Sequence, residues 1–101
     1  MTVFDAIHKA EALLPNLPTE TGIDSRWQAI IKIDSFMDSD PEPIWQFILK
    51  HGNTSDEDLQ MALSTCLLEH LLQIHPRYRK IAEQFALSNA PFSRMFSSCW
   101  L

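Results

Sequence analysis

The chain has 101 residues, 46% of them hydrophobic, and a formal net charge of −5. That length supports one domain, residues 1–101, around one core, and the apolar share excludes wholesale disorder. Only Gly22 and Gly52 are glycines, too few for the tight turns of an all-β fold, and the modest acidic balance gives no general attraction to nucleic acid or an anionic membrane.

The first predicted helix runs from about Thr2 to Leu14. Val3, Ile7, Ala10 and Leu14, with Phe4, Ala6 and Leu13, recur at helical spacing. Thr2 is placed to cap it, Asp5 reaches back three residues later, and Pro15 ends it. Asp5 and Glu11 lie here without a basic leader before an apolar run, so the stretch does not read as a signal peptide. The apolar runs fall far short of a membrane span, and a cytoplasmic location is expected. PNLPTETG, residues 15–22, reads as a linker.

A second helix is predicted from about Asp24 to Met37, capped by Asp24 or Thr21, with Trp27, Ile30, Ile31, Ile33, Phe36 and Met37 as its apolar set. In DSDPEP, Asp40 is an N-cap acceptor, and Pro41 has no N–H to lose at a helix start. The third helix extends to about Lys50, carrying Ile44, Trp45, Phe47, Ile48 and Leu49. His51 and Gly52 close it, with Gly52 expected in the left-handed conformation.

The fourth helix is the expected centre. Thr54 and Glu57 suggest a capping box, and Asp56, Glu57 and Asp58 suit its N-terminal dipole. From Leu59 to His75 no glycine or proline interrupts an apolar face of Leu59, Ala62, Leu63, Cys66, Leu67, Leu71 and Ile74, and Met61, Leu68 and Leu72 add a second row. Such a helix is normally covered on several sides. Pro76 separates it from a fifth helix ending near Leu87, built on Tyr78, Ile81, Ala82, Phe85 and Ala86. Ser88 or Asn89 caps a last helix containing Phe92, Met95, Phe96, Cys99 and Trp100.

The expected fold is therefore all-α, with five to six helices. They form either stacked antiparallel hairpins, a short HEAT-like α-solenoid, or an irregular helical bundle. Pro41 and Pro76, 35 residues apart, begin the second helix of each hairpin, a spacing in the range of helical repeats.

DPEPIWQFILKHG, then DEDLQMALSTCLLEHLLQIHP, then FSRMFSSCW resemble a group of small bacterial all-helical proteins of unknown function. These share an acid-Pro-Glu-x-x-Trp helix start and a small-residue–Leu-Leu-Glu-x-Leu-Leu helix. The likeness covers roughly residues 26–100 and extends to HEAT-like repeats and some contact-toxin immunity proteins. It implies a helical fold and, for function, an immunity-type role; it carries no catalytic motif.

Cys66 and His70 are four residues apart on one helix face, as metal ligands can be, but Glu69 and His75 point elsewhere. No Gly-rich loop or oxyanion site accompanies them. No metal, cofactor or enzymatic activity is expected, and both cysteines read as buried thiols. Glu69, if buried, needs a partner such as Arg26, Arg77 or Arg79.

Charge is uneven. Seven acids lie between Asp34 and Asp58 against one lysine, whereas after Pro76 four bases face one acid, Glu83. The expected partner-binding surface is an acidic edge of Asp38, Asp40, Glu42, Asp56 and Glu57, with Trp100 as an aromatic contact. The expected function is a non-catalytic protein-binding module, possible in an immunity-type or inhibitory form, that masks a partner with a basic surface. A structural adaptor or self-associating subunit is the alternative, and an acidic nucleic-acid mimic the third; no membrane contact or direct nucleic-acid binding is expected.

Overall fold

Thr2 and Asp5 begin the first helix as a reciprocal pair. The Asp5 amide donates to Thr2 Oγ1 at 3.2 Å and the Thr2 amide to Asp5 Oδ2 at 2.9 Å. The helix, α1, spans Val3–Leu13. This structure is a computed structural model and describes residues 2–13, 25–52, 54 and 56–97. The 15–22 linker, the Thr21 and Asp24 caps, Cys99 and Trp100 lie outside the described residues.

Helix α2, Ser25–Asp34, ends three residues earlier than its apolar pattern suggests. The amides of Ser35, Phe36 and Met37 donate to carbonyls three residues back, at 3.0–3.2 Å, which tightens the chain into a turn. The Ser35 hydroxyl also takes the Lys32 carbonyl at 2.6 Å, competing with helix continuation. Helix α3, Pro41–Gly52, starts at proline as expected.

Gly52 corrects an expectation. It remains helical and is buried. Its role is close approach, because a Cβ there would lie 2.8 Å from Met95 Cε. The cap of the central helix is corrected too. The Leu59 amide donates to Asp56 Oδ1 at 3.2 Å, while Thr54 Oγ1 accepts from the Asp56 amide at 3.1 Å. Asp56 is the cap and Thr54 orders the residue that caps.

The central rod, α4, runs over residues 57–74 in three pieces: α-helical Glu57–Ala62, π-helical Leu63–Leu68 and α-helical Glu69–Ile74. The Glu69 amide donates to the Ser64 carbonyl, five residues back. One extra residue in that turn rotates the second half by about 100° relative to the first. A straight helix would put His70 and Ile74 near the middle of the buried face. The extra residue moves them to its edge and brings Leu72 in beside Leu71, both fully buried; Ile74 is left 46% exposed.

Helix α5 spans Arg77–Ser88 and α6 spans Ala90–Ser97. Asn89 Oδ1 caps α6 by accepting from the Phe92 amide at 2.9 Å. Among the described residues there are these six helices and no strand, and no helix is long and apolar enough to cross a membrane.

Of the two expected architectures, the irregular bundle describes the packing. The π-helical middle of α4 is packed by α2, α3 and α6, α1 lies on α2 and α3, and α6 touches α3 as well as α5. In a solenoid each unit meets only its sequence neighbours. Leu63, Leu67, Leu68, Leu71, Leu72, Ile30, Ile33, Ile44 and Ile48 form the fully buried centre. Trp45 joins Tyr78 and Phe92 to it through ring contacts of 5.7 and 5.9 Å. Polar anchors close the remaining gaps: Ser64 donates to the Met95 carbonyl at 2.9 Å, and Gln60 Nε2 donates to the Thr54 carbonyl at 2.9 Å.

Candidate functional site

Three contacts fix the direction of α2 against α4. Trp27 Nε1 donates to Asp58 at 3.1 Å, His70 Nδ1 to Asp34 at 3.0 Å, and His75 Nε2 to the Met37 carbonyl at 2.9 Å. The two helices therefore run side by side in the same direction. Residues 58 and 75 are about 25 Å apart at 1.5 Å per residue.

This geometry divides the expected acidic edge. Asp38 and Asp40 follow Met37 at one end of the rod, and Glu42 joins them there because the Tyr78 hydroxyl donates to its Oε2 at 2.6 Å. Asp56 and Glu57 lie at the other end, beside Asp58. The expectation of one acidic edge formed by all five carboxylates is therefore corrected. Two of them also have structural duties: Asp56 caps α4, and Glu42 ties α3 to α5 while accepting from Gln46 Nε2 at 3.0 Å. The Tyr78 and Gln46 bonds hold the Glu42 carboxyl below the usual range, with a smaller contribution from Arg77.

Beside Glu42 an open groove of about 380 Å³ runs between α1 and α3, lined by Phe4, Ile7, Glu11, Glu42, Pro43, Gln46, Phe47 and Lys50. Glu11 Oε2 accepts from Lys50 Nζ at 2.6 Å and from His51 Nε2 at 2.8 Å. Those two bonds, Lys50 first, hold the Glu11 carboxyl below its ordinary value. They join the C-terminal ends of α1 and α3, and because Phe4 and Pro43, near the two helix starts, also line the same groove, the helices run in the same sense. Phe4 and Pro43 thus stand at one end of the groove, Ile7 and Phe47 in the middle, and Glu11 and Lys50 at the other end. Its length is about two helical turns, or ~10 Å.

The sequence pattern placed Phe4 in the core stripe, whereas 66% of its surface is exposed. The apolar positions of α1 cover more of its circumference than one face can bury. That excess is the sequence signal for a lined groove, but the opposite wall of α3 is set by tertiary packing.

Asp34, Cys66 and His70 form the other polar cluster. Both Asp34 carboxylate oxygens receive His70 Nδ1, at 3.0 and 3.1 Å. Burial pushes the pKa of the Cys66 thiol up and the Asp34 charge raises it further, the opposite of an activated thiolate. Cys66 is only partly buried, and it is a free thiol. Among the described residues no three His, Cys, Asp or Glu side chains converge to hold a metal ion. Glu69 is half-buried at the edge of the rod, so it does not need the buried ionic partner sought for it.

Compared with protein-family models, curated proteins and solved structures, the chain matches none of them.

Proposed function

We propose that this chain is a non-catalytic protein-binding module that holds a partner with a basic surface, in an immunity-type or inhibitory role within the cytoplasm. The observation that supports this reading is Glu42, which follows Asp38 and Asp40 closely in the chain, on the lining of an open, mostly apolar groove. Carboxylates steer a basic partner and fix its register; apolar surface supplies the affinity. The inhibitory role rests on the resemblance to immunity proteins alone.

The test begins with the protein captured by the tagged chain in its native cell, purified and titrated calorimetrically at low and high salt. The double variant Asp38→Asn, Glu42→Gln should weaken binding by about tenfold and flatten its salt dependence while keeping the helical spectrum of the folded chain. Equal affinity and equal salt response would remove the acidic surface from the partner contact.

Self-association is a second reading. It is favoured by the outer face of α5, where Leu87 is 89% and Ile81 48% exposed beside Arg77 and Lys80. A nucleic-acid mimic ranks last, because its carboxylates would need closer spacing than two groups about 25 Å apart.

A further inference from the structure

The geometry points to a helical segment of the partner protein, apolar on one face and basic at one end, as the occupant of the α1–α3 groove. The inference rests on the protein-binding reading and specifies its site. Both walls are helices in parallel, and their lining residues recur at three- and four-residue spacing: Phe4, Ile7 and Glu11 on one, Pro43, Phe47 and Lys50 on the other. A groove of that form accepts side chains projecting from one face of a helix, at i, i+3 or i+4, and i+7. Its length, about two turns, matches three such anchors.

Charge gives the groove a direction. At the far end Glu11 is already paired with Lys50 and His51. At the near end Glu42 stands with Asp38 and Asp40, against Arg77, whose guanidinium lies over the Tyr78 ring at 5.1 Å. Glu42 receives one bond on each oxygen, and each carboxylate oxygen has a second lone-pair site. An arginine or lysine of the occupant therefore fits at the Phe4–Glu42 end. Phe4, two-thirds exposed in the free chain, is the apolar surface that such a segment would cover.

The experiment uses the full chain and two synthetic helical peptides, each with leucines at i, i+3 and i+7. One is flanked by arginine and the other by glutamate. In amide-resolved NMR the arginine peptide should move the signals of Phe4, Ile7, Gln46 and Phe47. The glutamate peptide should bind at least about tenfold more weakly. Phe4→Ser should abolish the shifts without altering melting, since the side chain is exposed. Glu42→Gln, which keeps an acceptor for Tyr78, should equalise the two peptides. No shift in the groove, or shifts centred on α5, overturns the inference. So does concentration-dependent self-association that Phe4→Ser abolishes, which would make a second copy the occupant. A captured basic partner whose affinity ignores Phe4→Ser would leave the protein-binding reading standing and remove the groove as its site.

Discussion

Glu11 and Asp56 show how single carboxylates hold this bundle together. Glu11 joins α1 to the end of α3, and its folded-state pKa is depressed by Lys50 and His51. Its contribution to stability is therefore complete above the ordinary glutamate value of about 4.3 and is lost as pH falls from there through the lower folded value. Urea denaturation at decreasing pH should show this loss, and Glu11→Gln should flatten the curve in that acidic window; an unchanged slope would show that the pair is energetically silent. Asp56 carries the cap of α4, so Asp56→Ala should cost about 1 kcal/mol, within a range of roughly 0.5–2. Glu57, expected to complete a capping box, is exposed in the first turn. Glu57→Gln should stay within about 0.5 kcal/mol by the same measurement. The capping pattern Thr-x-x-Glu was readable in the sequence. Whether Thr54 or Asp56 supplies the capping oxygen was decided by the path of the chain leaving α3.

At the scale of the element, the π turn in α4 decides what is buried. Leu67→Ala and Leu71→Ala remove fully buried side chains and should each cost about 2–5 kcal/mol, because the packed neighbours cannot collapse into the space. Ile74→Ala and Met61→Ala, at positions about half exposed, should each cost less than about 1 kcal/mol in the same chemical denaturation series. A large loss at Ile74 would mean that α4 keeps a straight α-helical face. Periodicity identified this rod and its start near Leu59, since seventeen residues without glycine or proline allow little else. Nothing in LSTCLL announces the wider turn. It follows from fitting α2, α3 and α6 around one helix, with Ser64 drawn inward to the Met95 carbonyl.

For the whole molecule, far-ultraviolet circular dichroism should give a predominantly helical spectrum without a measurable β component, as six helices and no strand among the described residues require. A substantial β signal would contradict the fold. Unfolding should be cooperative, because α4 is shared by contacts from α2, α3 and α6 and the buried side chains among the described residues form one core cluster. Loss of that shared helix through Leu67→Ala should therefore lower a single transition rather than split it into two.

The sequence by itself determined the helical class, the positions of the helices and most of their ends. Those properties depend on local chemistry: apolar period, Pro41 at a helix start, Asn89 as a cap, and reciprocal bonds between Thr2 and Asp5. The tertiary structure alone decided which side chains meet. It carried Asp38, Asp40 and Glu42 to one end and Asp56 and Glu57 to the other, because α2 and α4 run in the same direction. It also left Phe4 exposed above a groove whose second wall lies about forty residues further along the chain. Helical period specifies how residues are arranged around one axis. The relative placement of two axes comes from how their ridges and close approaches, such as Gly52 against Met95, fit together.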